Sequence, residues 1–324
     1  MVRFAVARVA LHSPRMKRRA DDPPVTHTVA EPAGGAASEP VRTLGRYRLE
    51  REVGSGGMGV VYAALDTDLG RRVAIKLLHP EPSAATRARL LREARAMARL
   101  THPNVVTIFE VDTIADTDFV VMELVDGGSI ENWLRDERPA AEAIVEAFVG
   151  AGRGLSAAHA VGMVHRDFKP HNVLRSRSGR VLVTDFSLAR DCAELPPPEP
   201  HAGPLVSLTV SGAFVGTPAY MAPEQWRHDA ISPSVDQFAF CVSLWEALAG
   251  KRPFHGETRD ELRAALERGP DSLDASCVPR RLRPLLLRGL RLDPAERFAS
   301  MDALVDQLAQ LAAPRRKRPT TRRR

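Results

Sequence analysis

The chain has 324 residues, enough for one large domain or two of medium size, and its 44% apolar and 27% charged residues exclude a wholly disordered chain. The net charge of +6 comes from the ends, because residues 1–43 carry +3 and residues 315–324 carry seven basic side chains, which leaves −4 on residues 44–314. A dedicated nucleic-acid domain is therefore not expected, and a solvated end is favoured over a docking segment for the basic tail.

Both ends of the chain lack the pattern of a folded domain. Residues 1–43 mix Arg, Pro, Ala and Gly without periodicity and predict a disordered leader, and residues 313–324 predict a disordered basic tail. The longest uncharged run, 200–223, contains four prolines and three glycines, so no transmembrane segment is predicted. The three cysteines have no disulfide or zinc spacing, which indicates a reducing compartment, the cytoplasm.

From residue 44 the sequence predicts a sheet and one helix. Short runs rich in Val, Ile, Leu and Tyr, separated by Gly and Asp, are typical of antiparallel strands. These runs lie at 47–53, 59–65, 72–78, 105–111 and 118–124. Between the third and the fourth run, Ala, Leu and Met at helical spacing predict an amphipathic helix at 83–100.

Beyond residues 126–128 (Asp-Gly-Gly), which predict a flexible joint, the chain is mainly helical. A strand-like run at 181–184 is flanked by helices predicted at 140–161, 233–249, 259–268, 280–291 and 300–311. Strands first and helices afterwards predict an α+β protein with two unequal lobes, 44–125 and 126–312. A cleft between two such lobes is a usual place for a small-molecule site.

A glycine-rich segment, 54–61, lies between the first two predicted strands. Glycines let backbone amides approach a polyphosphate closely, whereas a dinucleotide-binding turn would join a strand to a helix. The segment therefore favours a strand–loop–strand flap over phosphates. Glycine-rich hairpins without a ligand are also common, so the motif alone leaves both interpretations open.

A lysine follows the apolar run 73–75 in a chain that has only five lysines but forty-one arginines. This residue, Lys76, is costly to bury unless a counter-charge meets it, and Glu93 in the predicted helix is a candidate partner. A lysine on an edge strand that reaches solvent is the alternative.

Segment 165–172 holds side chains that phosphoryl transfer needs. Asp167 can orient an attacking hydroxyl, Lys169 can screen charge on the moving phosphoryl group, and Asn172 offers an oxygen to magnesium. Asp185, after the strand-like run, offers a second hard oxygen ligand. Taken singly, a turn aspartate or a capping asparagine explains such residues as well.

These features occur in one order. The order is the glycine loop, Lys76, Glu93, His165-Arg166-Asp167, Asp185-Phe186 and Ala222-Pro223-Glu224. Together they resemble the eukaryotic-like protein kinases over about residues 44–312, and the runs 216–225 and 236–240 resemble the bacterial Hanks-type members. The resemblance implies the α+β, bilobal protein kinase fold, with a small antiparallel-sheet N-lobe that has one main helix and a larger helical C-lobe.

The resemblance also implies a site for ATP and Mg²⁺. Asp167 matches the catalytic base, Lys169 the phosphate-contacting lysine, and Lys76 the lysine that pairs with Glu93 and holds the phosphates. The implied magnesium ligands are Asn172 and Asp185. The implied nucleotide-binding residues are Gly54, Gly56, Gly59, Val61, Ala74, Lys76, Met122, Glu123, Val125 and Leu174. Glu224 and Arg297 match a structural ion pair of the large lobe.

The sequence departs from the family pattern at Ser187, where the third residue of Asp-Phe-Gly is usually glycine. A non-glycine residue at positive φ costs roughly 1 kcal/mol or more, so we expect a changed balance of loop conformations rather than lost catalysis. Thr209 and Ser211 match positions of activating phosphates, which would dock on Arg166. Exposed hydroxyls without a role are the alternative.

The implied function is a serine/threonine protein kinase, because Lys169 after Asp167 and the run Gly216-Thr217-Pro218 resemble that class. Its partners would be protein substrates and, transiently, a second copy of the kinase. A pseudokinase scaffold that binds nucleotide or partners without phosphotransfer is the alternative, with Ser187 as its only support. A small-molecule phosphotransferase is disfavoured, because residues 222–224 and the long segment before them build a protein-substrate platform in the family.

Overall fold

A computed structural model describes residues 42–56, 59–80, 84–186, 217–227, 229–256, 258–269 and 278–312. Residues 1–41 of the predicted leader and the whole predicted tail lie outside these residues, as do Ser187 and the predicted phosphorylation sites Thr209 and Ser211. The leader was predicted to reach residue 43, but Thr43 already belongs to a strand. None of the helices in these ranges is both long enough and apolar enough to cross a bilayer.

The small lobe is a six-stranded antiparallel sheet with one helix, α1 (Ala84–Met97). The strands are β1 (Thr43–Leu44), β2 (Tyr47–Gly56), β3 (Gly59–Asp66), β4 (Arg71–Leu78), β5 (Ile108–Ile114) and β6 (Thr117–Glu123), in the spatial order β1-β2-β3-β4-β6-β5. Successive side chains of a strand point to opposite faces, so β4 places Val73 and Ile75 in a cluster on one face. Ala74 and Lys76 therefore point to the other face.

The predicted bounds of the strand at 105–111 were wrong, because the two halves of its apolar run pair with different strands. Val105 forms a parallel bridge with Val183 of the large lobe, and the Val106 N–H donates to the Val183 carbonyl at 3.0 Å. The strand β5 itself starts only at Ile108 and pairs with β6 as far as Ile114. Residues 105–106 thus connect the lobes, and the apolar run alone did not reveal the change of partner.

The large lobe is mainly helical, which confirms the predicted fold class. Its helices are α2 (Ile130–Glu137), α3 (Ala141–Ala160), α4 (Pro223–Trp226), α5 (Ser234–Ala249), α6 (Arg259–Arg268), α7 (Arg283–Gly289) and α8 (Met301–Ala312). A small sheet adds β7 (Gly128–Ser129), β8 (Val173–Arg175) and β9 (Val181–Val183) in that spatial order. Helix α5 is buried on all sides from Val235 to Trp245 and forms the centre of the lobe.

The sequence did not predict α2, α4, β7 or β8, which are all short. The glycines of the predicted joint continue into β7, where Gly128 pairs with Arg175. Helix α2 follows at once, with the Ser129 hydroxyl accepting a hydrogen bond from the Asn132 N–H at 3.2 Å. Only Ile130 and Trp133 of α2 are buried, so its apolar periodicity is too brief to indicate a helix.

The predicted ion pair between Glu224 and Arg297 is present and buried. The two guanidinium nitrogens lie 2.6 and 2.9 Å from the two carboxylate oxygens. Arg297 also donates to the carbonyls of Ser234 and Arg291, at 3.0 and 2.8 Å. Because the pair joins the start of α4 to the start of α5 and to the segment before α8, it fixes the base of the large lobe.

Replacing Arg297 with Met should destabilise the protein by about 3–5 kcal/mol, because it leaves the Glu224 carboxylate buried without its cation. Urea unfolding measures this free energy. The matched control is Arg227→Met, which removes an ion pair to Asp229 whose two side chains are each 53% exposed. We expect a much smaller effect there, and equal effects of the two variants would contradict the structural role of the pair.

Candidate active site

A lysine and an aspartate that are 109 positions apart meet at the boundary of the two lobes. The Lys76 Nζ lies 2.7 Å from the Asp185 Oδ1. Strand β4 lies between β3 and β6, and Lys76 is 6% exposed there, so it is not a solvent-facing lysine on an edge strand. Asp185 lies two residues after the end of β9 and has a φ of 54°, in the left-handed region. The buried ammonium group thus has a carboxylate partner from the large lobe.

Three predicted site residues are brought together in the loop that follows α3. The Lys169 Nζ lies 2.9 Å from the Asp167 Oδ2, and the Asn172 Nδ2 donates to the Asp167 carbonyl at 2.8 Å. The other carboxylate oxygen, Asp167 Oδ1, is buried and has no hydrogen-bond partner among the described residues. The Thr184 N–H donates to the Asn172 carbonyl at 3.0 Å, which brings the segment of Asp185 beside this loop.

One histidine and two phenylalanine side chains pack together beside Asp167 and Asp185. The ring of His165 packs against Phe168 and Phe186, with centroid distances of 5.8 and 4.6 Å. The His165 Nε2 lies 3.0 Å from the carbonyl of Thr184, the residue before Asp185. Phe186 in turn lines a cavity of about 30 Å³ together with Lys76, Asp185 and residues of α1 and β6.

The glycine-rich segment forms the predicted hairpin, in which Gly56 of β2 pairs with Gly59 of β3. A Cβ at Gly59, whose φ is 151°, would lie 2.0 Å from the Leu77 carbonyl oxygen, so the fold itself requires glycine there. At Gly54 and Gly56 a Cβ would have no atom of the described residues within 4 Å. Their lack of a side chain is thus not explained by packing.

The remaining predicted nucleotide-binding residues come from both lobes, with Val61, Ala74, Met122 and Glu123 on the six-stranded sheet, Val125 just after it and Leu174 on β8. Val61 is the register partner of Lys76, and Ala74 is that of Met122. Val125 and Leu174 are partly buried and pack on the same hydrophobic core. The Glu123 N–H donates to the Thr107 carbonyl at 2.9 Å, so this donor is used within the fold. Its carboxylate forms an ion pair with Arg180.

Comparison with known proteins gives the family. Residues 47–308 match the protein kinase domain. The chain belongs to the protein kinase family. The serine/threonine-protein kinase PknA of Mycobacterium tuberculosis (strain ATCC 25618 / H37Rv) is 36% identical over 285 residues, which are 85% of this chain and 63% of PknA. A probable serine/threonine-protein kinase PknB of Lactococcus lactis is 34% identical over 273 residues, 82% of this chain and 42% of that protein.

Solved structures agree with the fold of this kinase domain. The crystal structure of a mutant M. tuberculosis PknI kinase domain matches with a TM-score of 0.65 and 25% identity, and the match covers 86% of this chain and all of that one. The chain spans less than two thirds of the length of the curated relatives PknA, PknD and PknB.

The loop that carries Asp167 depends on a residue whose role the sequence did not reveal, Asp236 of α5. This carboxylate is fully buried and accepts hydrogen bonds from the backbone N–H groups of His165 and Arg166, each at 2.8 Å. His159 contacts it as well, at 2.7 Å. Arg166 has a φ of 65°, a strained value for a residue with a side chain, so these bonds hold the loop in its conformation. Asp236 and His165 are 71 positions apart in sequence, so no local pattern indicated this contact.

The predicted magnesium ligands fit a hard cation. Nδ2 is the donor atom of the Asn172 amide, which leaves Oδ1 as an oxygen ligand, and Asp185 uses Oδ1 for Lys76 and keeps Oδ2. In the described ranges no three His, Cys, Asp or Glu side chains cluster closely enough to form a metal cage. Magnesium is commonly held by one or two protein oxygens together with phosphates and water, which suits a pair of ligands.

Replacing Asp236 with Asn should lower the free energy of unfolding by about 3 kcal/mol. The variant removes the charge that two backbone N–H groups and His159 contact, and it can turn an amide N–H towards those donors. Chemical denaturation followed by circular dichroism measures the change. Asp229→Asn, at an exposed aspartate, is the control with unchanged stability. Equal stability of the two variants would show that Asp236 does not hold the loop.

Proposed function

We propose that this chain is an ATP- and magnesium-dependent serine/threonine protein kinase, which transfers the γ-phosphate of ATP to Ser and Thr hydroxyls of protein substrates. The contact between Lys76 and Asp185 carries the proposal, because it places a buried cation and a carboxylate at the boundary of the lobes, beside the loop of Asp167. The relatives named serine/threonine-protein kinases support the substrate class. The proposal includes a cytoplasmic location and a transient homodimer.

The acceptor hydroxyl would be bound by Asp167. Its Oδ1 is buried without a partner among the described residues, and a buried carboxylate oxygen gains most from a new hydrogen-bond donor. A hydroxyl that donates to this oxygen is oriented for in-line attack and can pass its proton to the carboxylate. Lys169 contacts the other oxygen at 2.9 Å and supplies a positive charge next to the incoming phosphates.

The phosphates would lie between the glycine hairpin and the two lysines. Gly54 and Gly56 have room that no described side chain fills, so the backbone can approach the phosphates there. Lys76 supplies a positive charge from the sheet and Lys169 one from the loop. Asn172 and Asp185 would hold Mg²⁺, which neutralises charge on the phosphates when it is bound. Glu93 lies on α1 and is half-buried, and its pairing with Lys76 stays a prediction.

The variants Lys76→Met and Asp167→Asn should each lower phosphate transfer at least about a hundredfold while the protein stays folded. Transfer of labelled phosphate from ATP to a generic basic protein, with magnesium present, measures this rate. Lys251→Met and Asp229→Asn, at exposed positions, are the matched controls and should keep the wild-type rate.

Wild-type rates from the Asp167→Asn variant would contradict the assignment. Magnesium-dependent ATP binding by the wild-type protein without any phosphate transfer would favour a pseudokinase scaffold instead.

Thr209, and secondly Ser211, are proposed as sites of trans-autophosphorylation. A phosphate adds about −1.5 to −2 charges, which the guanidinium of Arg166 would bind. Mass spectrometry of the active protein should detect phosphate at Thr209, and the Asp167→Asn protein purified alone should carry none. Active protein with both residues unmodified would refute this part of the proposal.

A further inference from the structure

Helix α1 contacts the rest of the protein through one face that is not wholly apolar. Leu90, Ala94 and Met97 are buried on this face at helical spacing. Arg87 lies three residues before Leu90, so it continues the same face towards the start of the helix. A charged side chain at the end of an apolar stripe needs a partner, and Arg87 finds one on the sheet.

The partner is Asp118 of strand β6, and the contact is bidentate. The Arg87 Nε lies 2.6 Å from the Asp118 Oδ2, and the Nη2 lies 2.7 Å from Oδ1. The Thr113 hydroxyl donates to Oδ1 at 2.6 Å, and the Asp118 side chain is only 12% exposed. The guanidinium of Arg87 is the main cause that lowers the pKa of the Asp118 carboxyl. Such a planar pair fixes orientation as well as distance.

Both ends of this helix face contact residues near the site around Lys76. Asp118 lies on β6 two residues before Val120, which is the register partner of Lys76. At the other end of α1, Met97 lines the cavity that Lys76 and Asp185 also line. Glu93 lies between the two ends, six residues after Arg87. The ion pair and the apolar contact together therefore fix the orientation of α1 relative to the sheet that contains Lys76.

We propose that Arg87 and Asp118 are positioning residues, which hold α1 in the orientation that the kinase reaction needs. The inference rests on the proposed kinase function. Neither residue touches the reacting groups, and the effect passes through the orientation of α1. Loss of the pair frees the first half of the helix to move while the Met97 end stays packed. The site around Lys76 would then bind ATP less well and react more slowly.

Kinetics and amide hydrogen exchange of the full chain test this inference. The variants are Asp118→Asn, Arg87→Lys and the charge swap Arg87→Asp with Asp118→Arg. The matched control is Arg72→Gln, which removes an ion pair to Glu50 on the same sheet, at 3.3 Å, whose arginine side chain is 70% exposed. Each protein is assayed for kcat, for the KM for ATP, for thermal stability and for exchange of the α1 amides.

For Asp118→Asn we expect kcat/KM for ATP to fall roughly tenfold and the α1 amides to exchange faster, since coupling of this kind is worth roughly a 2- to 30-fold change. Arg87→Lys keeps the charge but loses the bidentate geometry, so its kcat/KM for ATP should lie between the values of Asp118→Asn and the wild type. The charge swap should recover most of the lost kcat/KM, and Arg72→Gln should have the kcat/KM and the α1 amide exchange of the wild type.

Kinetic constants of Asp118→Asn and Arg87→Lys that equal those of the control, with unchanged exchange of α1, would overturn the inference. So would a loss of thermal stability without any change in kcat or KM, because the pair would then be merely structural. A wild-type protein that transfers no phosphate would refute the proposed function, while exchange of the α1 amides would still report whether the pair orients the helix.

Discussion

A buried ammonium group must meet a negative charge, and this requirement joins the two lobes at Lys76. Desolvation of an isolated lysine on a central strand costs several kcal/mol, and the Asp185 carboxylate at 2.7 Å offsets that cost. The two residues come from different lobes, so the pair exists only when the sheet and the helical lobe are packed together. The conformation of the chain after β9 and the proposed phosphate site both depend on this contact.

In the large lobe, a second buried charge holds the loop that carries Asp167. Asp236 lies in the most buried helix, α5, and holds the backbone of His165 and Arg166. Arg166 and Asp185, on either side of the proposed site, both have left-handed backbone conformations. Residues with such strain are found mainly where the surrounding structure imposes it and function uses it. Here the buried carboxylate and the Lys76 contact impose it.

Local patterns in the sequence predicted much of this molecule, and long-range contacts account for what was missed. The residues Lys76, Asp167 and Asn172 were identified because their order resembles the kinase pattern. The strand at 105–111 was misplaced because an apolar run does not show which partner each half pairs with. The role of Asp236, noted only as part of the run 236–240, and the pair of Arg87 with Asp118 were not identified, since a local pattern does not show which residue of another element a charged side chain meets. Charged side chains inside an apolar pattern, as at Arg87, are the one local sign of such contacts.

Calorimetric titration of ATP with and without magnesium, on the wild-type protein and the Asp185→Asn variant, shows whether Asp185 contributes to binding of a nucleotide with its metal ion. We expect magnesium to strengthen ATP binding by the wild type and Asp185→Asn to remove this gain while the protein stays folded. An unchanged effect of magnesium in the variant would contradict the claim that Lys76 and Asp185 converge on a nucleotide and its metal ion.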